Sequence, residues 1–492
     1  MNILMIYPQF PDTFWSFKHA LKFIRKRASS PPLGLLTVAG MLPAAWEKRL
    51  VDVNIHKLED DDIAWADMVM ISAMTVQRDS ANEIITRVRA ADKVIAAGGP
   101  LFTAEPEAFP DVDHLILNEA EITLPLFLAD LGRGQPKRIY QTDEYADLTT
   151  TPAPLWELID LRYYDSLSLQ FTRGCPFNCD FCNVTALLGH RMRLKTTRQL
   201  INELDNIYAL GWRRGIFIVD DNFIGNKRIL KREVLPALIE WRKGKKGCRF
   251  ITEASVNLSD DEELIRMMVK AGFTSVFVGI ETPDNDSLAE CSKSQNLNRD
   301  LVSSVKKLQQ MGLQVMGGFI VGFDNDDETI FEHMIDFIQE SGIVTAMVGL
   351  LQAPIGTQLY QRMLHEGRIR NAYSGDNVDG ETNIIPKMDA TLLKNGYRKI
   401  LDSIYSAKGF YERVRTFLRN YTPSHHAVTM QWEEIAALFA SIFEIGIKSK
   451  ERWQYWKLFF WALFRHPKKF PLAITFTIYG YHFRKVNELH VT

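Results

Sequence analysis

The stretch Phe171-Thr-Arg-Gly174-Cys175-Pro-Phe-Asn-Cys179-Asp-Phe181-Cys182 places three of the chain's five cysteines within eight positions, spaced C-x3-C-x2-C. Upstream, residues 167–171 read as a strand, and Gly174 lets the backbone turn sharply out of it. Clustered thiolates on one loop are the donor set of an iron–sulfur cluster, and a closed electron-transfer cubane takes four of them. Three leave one iron without a protein ligand, which is the opening a metal needs to bind and activate a substrate. Structural zinc is the competing reading, but such sites usually pair C-x2-C with a second, distant Cys or His pair, which is missing here. Cys248 and Cys291 read as small buried hydrophobes.

Around that stretch, 492 residues suggest roughly two to four domains. Apolar residues at 46% and charged residues at 24% are ordinary globular values. A formal net charge of −2 argues against general nucleic-acid binding. Five cysteines, mostly clustered, do not make a secreted disulfide framework, so a reducing cytoplasm is expected. Residues 1–7 read as a buried strand rather than a signal peptide. No uninterrupted apolar run reaches the roughly 18 residues of a membrane span.

Residues 1–135 alternate short apolar runs (3–7, 50–55, 68–74, 94–97 and 114–117) with amphipathic segments such as 80–90, the pattern of a doubly wound, Rossmann-like parallel sheet. Ligands of such sheets lie beyond the carboxyl ends of the strands. Ser72, Thr75, Gln77, Gly98, Gly99 and Glu119 stand there, although Gly98-Gly99-Pro100 is also an ordinary turn. Residues 136–165 read as an extended Pro- and Thr-rich linker.

From 166 to 376 the pattern resumes as half a barrel. Its second strand ends in Asp220-Asp221-Asn222, which would suit either a site or a helix N-cap. Period two sets Glu253, Ser255 and Asn257 on one face, a fourth strand ends in Glu281, and Gly318 and Gly322 space a fifth. A sixth strand covers 346–351. Residues 377–492 are expected to be mainly helical. Between Lys448 and Lys485 there are nine Lys or Arg against one acidic residue, Glu451, interleaved with Trp453, Trp456, Phe459, Phe460, Trp461 and Phe464. This composition suits an anionic membrane surface, or equally a helical cap whose aromatics pack on the barrel.

The C-x3-C-x-aromatic-C motif, with Phe181 as its aromatic, resembles the signature of the radical S-adenosylmethionine (SAM) enzymes, and the six βα units resemble their partial (β/α)6 barrel. That resemblance implies a [4Fe–4S] cluster on Cys175, Cys179 and Cys182, with SAM chelating the fourth iron. Asp220, Asp221 and Asn222 match the place where the family holds the SAM amino group. Glu253, Ser255 and Glu281 stand at neighbouring strand ends, and Gly318 and Gly322 resemble its adenine-contacting G-x-I-x-G.

The first domain resembles the cobalamin-binding domain of the cobalamin-dependent branch. It lacks the Asp-x-His-x-x-Gly motif, which implies cobalamin without a protein imidazole, or else an empty domain; His19 reads as a helix-surface residue. Phrases such as Pro31-Pro-Leu-Gly34, Val219-Asp-Asp-Asn-Phe-Ile-Gly-Asn226 and Gly279-Ile-Glu-Thr-Pro283 resemble the hopanoid C-2 methylase branch. The implied activity is radical methylation of an unactivated carbon of an apolar, possibly hopanoid or other lipid, substrate, with a flavodoxin- or ferredoxin-type reductant and possible peripheral contact with the inner face of a membrane. The alternatives are a non-methylating radical rearrangement, oxidation or cyclisation, and, from another class, an iron–sulfur electron carrier or redox sensor.

Overall fold

The computed structural model describes residues 1–376, 378–423 and 432–490. Two six-stranded parallel sheets carry the architecture. The first comprises β1 (Asn2–Tyr7), β2 (Glu47–Asp52), β3 (Met68–Ser72), β4 (Val94–Gly98), β5 (His114–Ile116) and β6 (Ile139–Tyr140), in the order β2-β1-β3-β4-β5-β6. Its inner strands β1, β3 and β4 are apolar runs largely buried on both faces, as parallel sheets covered by helices require. β2 begins earlier than its apolar residues suggest, pairing Asn2 with Glu47. As an edge strand it tolerates Glu47, Lys48 and Arg49. Part of the stretch read as linker forms the opposite edge, β6, where Tyr140 is buried.

The chain then forms β7 (Ser166–Leu169) and a small antiparallel ribbon of β8 (Thr172–Arg173) and β9 (Arg193–Leu194). β10 (Gly215–Ile218), β11 (Arg249–Glu253), β12 (Phe273–Glu281), β13 (Gln314–Val321) and β14 (Ala346–Leu350) follow. The second sheet runs β14-β13-β12-β11-β10-β7, strictly sequential, which is the topology of an open, partial (β/α)6 barrel.

Helices complete the molecule. Ala390–Tyr405, Ala407–Asn420, Trp432–Ser441 continuing through Ile442–Lys448, Arg452–Arg465 and Phe470–His490 form the C-terminal region, whose apolar faces share one continuous core with the barrel. The first sheet's chain also reaches this region. Phe14 stacks on Phe483 with ring centroids 4.2 Å apart, and the Phe14 carbonyl lies 3.0 Å from His482 Nε2. His19 accordingly lies against His482 and Asp12 and is partly buried, not a free helix-surface residue.

Candidate functional site

The β8–β9 ribbon closes the base of a loop, 174–192, that carries all three clustered cysteines. Gly174 has φ 90°, and a Cβ there would lie 2.7 Å from the Arg191 carbonyl oxygen and 2.9 Å from that of Gly189. Only glycine fits this closure. The loop is pinned at several points: the Cys175 N–H donates to the Gly189 carbonyl (3.3 Å), the Asp180 N–H to the Cys291 carbonyl (3.2 Å), and the Leu359 N–H to the Asp180 carbonyl (2.9 Å). Phe181 packs beside Cys291, Phe323, Leu351, Leu359 and Met363, anchoring the loop from beneath. Burial pushes all three thiols up, Cys182 to about 12. They are held neutral until a metal supplies the charge that favours the thiolate.

The strand ends beneath this loop gather carboxylates. Asp220 is buried, and its Oδ1 accepts the N–H groups of Phe171 (2.8 Å) and Thr172 (2.9 Å), tying the end of β10 to the turn that launches the loop. Its Oδ2, and Asp221 Oδ2, are buried and find no hydrogen-bond partner among the described residues. Burial raises Asp220 to about 7, Asp221 to about 6 and Glu253 to about 8, the last helped by Asp221 and Asp220. Asn222 Oδ1 accepts from the Ser255 N–H (3.3 Å), and Ser255 Oγ donates to Asn257 Oδ1 (2.8 Å), so these polar groups brace one another.

Glu281 ends β12 with φ 65°, a left-handed conformation that costs a non-glycine residue strain. Its Oε1 accepts from Lys293 Nζ at 2.5 Å. Burial opposes the charge on Lys293, but Glu281 and Cys179 outweigh it and hold the ammonium above its ordinary pKa. Gln295 Nε2 lies 3.8 Å from Cys179 Sγ. In β13, a Cβ at Gly318 would lie 2.8 Å from the Phe277 ring, and just past the strand one at Gly322 would lie 3.1 Å from Leu393.

Lys293, Gln295 and Tyr373 are the residues that sequence reasoning missed. Tyr373 is pushed up to about 12 by burial, with Asp379 and Cys182 adding to the shift. Nothing local marks them, since none lies in a strand or follows a helical period. A charged residue inside the otherwise uncharged 291–297 was the only available signal.

On the first sheet, Ser72 ends β3 beside Gly99, whose φ is 90° and where a Cβ would lie 2.6 Å from Ser72 Oγ. Gln77 is spent on backbone, accepting from the Met74 N–H (2.9 Å) and donating to the Pro8 carbonyl (2.5 Å). At Gly98 a side chain would strike the Ile116 carbonyl. Thr75 lies against Gly375, and Glu119 is paired with Arg173 (2.8 Å) and Arg193 (2.7 Å). Residues beyond β3 and β5 therefore touch residues beyond β14 and β7, so the carboxyl ends of the two sheets abut.

These residues can be tested against the groups the motifs imply. Among the described residues, no three His, Cys, Asp or Glu side chains converge as a mononuclear ion requires. Each thiol of a cubane binds its own iron, and three partly buried thiols on a closed loop fit that arrangement. The buried carboxylate oxygens without partners fit a cationic ligand such as SAM. At the first sheet, exposed Met74 and Asn118 offer apolar and amide surface at the strand ends, which suits a broad, amide-fringed ring such as cobalamin.

The known proteins agree. Residues 169–338 match the model of the Radical SAM superfamily, residues 27–128 that of the B12 binding domain, and residues 357–492 a domain of unknown function (DUF4070). The molecule is thus of the radical SAM class with a B12-binding domain before the barrel. An uncharacterized methyltransferase of Synechocystis sp. is 40% identical, covering 99% of this chain and 92% of its own. The hopanoid C-2 methylase of Rhodopseudomonas palustris is 32% identical, covering 93% and 88%. The chain belongs to the cobalamin-dependent radical SAM methyltransferases, whose cofactors are a [4Fe–4S] cluster, SAM and cobalamin. Its fold is that of the cobalamin-dependent radical SAM enzyme OxsB (TM-score 0.63, 14% identity, covering 100% of this chain and 79% of that one). It is also that of the methyltransferase TsrM from Kitasatospora setae (TM-score 0.60, 13% identity, 99% of each).

Proposed function

We propose that this methyltransferase acts on an unactivated carbon of an apolar, isoprenoid-type lipid, a hopanoid first among them, met at an anionic membrane surface, with a flavodoxin- or ferredoxin-type protein as reductant. The observation that carries the reading is the outward face of the C-terminal helices. Trp432 is 83% exposed, Phe439 66%, Trp453 71% and Phe464 76%, with Phe443, Ile447 and Phe460 also exposed. The inward face of the same helices, Tyr455, Leu458 and Ala462, is buried on the core. The aromatics are therefore divided between cap and surface. Leaving each large apolar side chain in water forgoes about 1.5–3 kcal/mol. Exposed Lys450, Arg452, Lys457, Arg465 and Lys468 lie among them, as an anionic headgroup layer would favour. No described helix is long and apolar enough to cross a membrane, so the contact would be peripheral. The likeness to a hopanoid C-2 methylase supports the same substrate class.

In this reading Cys175, Cys179 and Cys182 hold the cluster, and Asp221 and Glu253 meet the positive charge of SAM. Asp220 fixes the turn that aims the loop, and Lys293 offsets the negative charge of the thiolates. Ser72, Thr75 and Gly99 line the cobalamin face. Bound there, the cluster and SAM supply hydrogen-atom abstraction from a carbon without an acidic proton, and cobalamin supplies the methyl group.

Anaerobic reconstitution with iron, sulfide and cobalamin, followed by SAM, a pentacyclic hopanoid and reduced flavodoxin as electron donor, tests the chemistry: deoxyadenosine and S-adenosylhomocysteine should form together. Deoxyadenosine without S-adenosylhomocysteine would overturn the methylation of this substrate. Flotation tests the surface. The protein should rise with phosphatidylglycerol vesicles at low salt and release as salt is raised, and Trp453→Ala with Phe464→Ala should stay at the bottom. A wild type that fails to float at low salt overturns the membrane reading alone.

A further inference from the structure

The two ends of the cysteine loop meet an unusual joint. Arg173, in β8, enters the loop, and Arg193, in β9, leaves it. Both reach across to the first sheet's domain, to the start of the helix Ala120–Gly132. Arg173 Nη1 lies 2.8 Å from Glu119 Oε2, and its Nη2 lies 2.7 Å from Glu121 Oε1. Arg193 Nη2 lies 2.7 Å from Glu119 Oε1, and its Nη1 donates to Glu119 Oε2 (2.7 Å) and to the Ala146 carbonyl (2.9 Å). Arg193 also stacks over Tyr145, 4.9 Å from the ring centroid, and Thr151 Oγ1 donates to Glu121 Oε1 at 2.8 Å. All four charged side chains are mostly buried.

Stability is a poor reason for this arrangement. Buried ion pairs gain little over apolar residues of the same volume, because desolvation consumes the attraction. What they supply is a preferred register, since each guanidinium fork matches a carboxylate in few orientations. The register fixed here is that of the loop holding all three cysteines relative to the domain with the B12-binding sequence. Radical methylation needs one substrate carbon within reach of both cofactors, and a misplacement of about 1 Å can cost about a hundredfold in rate.

We propose that the Arg173–Arg193–Glu119–Glu121 cluster is an interdomain latch that sets the distance and orientation between the iron–sulfur cluster and cobalamin. These four are positioning residues. The inference rests on the two-cofactor chemistry of the family and is independent of the substrate.

The distance itself is measurable by pulsed EPR, in protein holding cob(II)alamin and a reduced cluster, with no substrate added. The wild type should give one narrow distance. Arg193→Met should lose it to a broad distribution at unchanged iron content, and Arg193→Lys should recover part of it. A broad wild-type distribution, or an Arg193→Met distribution as narrow as wild type, would overturn the latch. Should Arg193→Met fail to assemble its cluster, hydrogen exchange on the apoproteins decides. Faster exchange in both 114–124 and 172–194 is expected, and unchanged exchange there overturns the proposal. A wild type with one narrow distance that leaves a hopanoid unmethylated removes the substrate reading and not the latch.

Discussion

Two parallel six-stranded sheets meet at their carboxyl ends in this molecule, and they present different chemistry there. The first offers neutral groups that are largely satisfied: Ser72 beside Gly99, and Gln77 bonded to backbone. Its carboxylates Glu119 and Glu121 are neutralised by arginines from the other domain. The second offers acids whose buried Oδ2 atoms find no partner among the described residues, Asp220 and Asp221, with Glu253 close by. Lys293 is the cation set among these acids and the thiols. A sheet end of the first kind grips a neutral ligand through shape and backbone. One of the second kind is costly to leave empty and waits for positive charge. Both sheets are parallel, and it is the electrostatics of their strand ends that sets them apart.

That contrast can be broken most sharply at the metal. Cys175→Ala, Cys179→Ala and Cys182→Ala should each abolish the cluster, read as loss of iron and of SAM cleavage, while cobalamin binding persists. Cys248→Ala and Cys291→Ala should keep the cluster. Retention of full SAM cleavage by Cys175→Ala would sink the assignment.

A second, smaller effect separates the sheets by charge. Asp221→Asn or Glu253→Gln should weaken SAM binding by about 10- to 150-fold, the equivalent of about 1.5–3 kcal/mol for a hydrogen bond to a charged group. Cobalamin affinity, measured by titration of its absorbance, should not change. Equal losses of both ligands would mean that the acids serve the fold alone.

The third effect is on stability. Burial, with Asp221 and Asp220, raises the Glu253 carboxyl to about 8. Between its unfolded value near 4.5 and about 8, the folded apoprotein therefore holds a proton that the unfolded chain has released. The Glu253 contribution to stability must fall as pH rises through that window. Glu253→Gln should flatten this fall in urea melts of the apoprotein; a variant with the wild-type slope would contradict the burial of this acid.

The subtlest test concerns cobalt. His19 lies 3.6 Å from Asp12 and packs against His482, and the sequence lacks the Asp-x-His-x-x-Gly motif. The cob(II)alamin EPR spectrum should accordingly lack nitrogen splitting from a protein imidazole. Its presence would require the first domain to rearrange.

Much of this architecture is legible in the sequence, because parallel strands buried on both faces are short apolar runs between helices, and a cysteine triplet is rare. The barrel strands follow from apolar runs that end in polar residues, and the tail is set apart by its aromatic and basic composition. β6 is two residues long and its backbone pairing leaves no pattern, so it reads as linker. Lys293 gains its role from Glu281, twelve residues away in sequence, and Gln295 from Cys179, 116 residues away. Arg173 is visible in the motif, yet its partners Glu119 and Glu121 lie in another domain, and no local rule joins them. The tail shows the same limit from the other side: composition reveals the aromatics, but only packing divides Tyr455 from Trp453.

The closure at Gly174 bears on how the loop is loaded with iron and sulfide. Many small metal-binding modules are unfolded until their ion arrives. Here the turn at φ 90°, the ribbon and the bonds from Cys175 and Asp180 shape the loop from protein contacts alone. A loop shaped in this way should stay closed when iron and sulfide are stripped from it, so that recharging it should need only their return and no refolding.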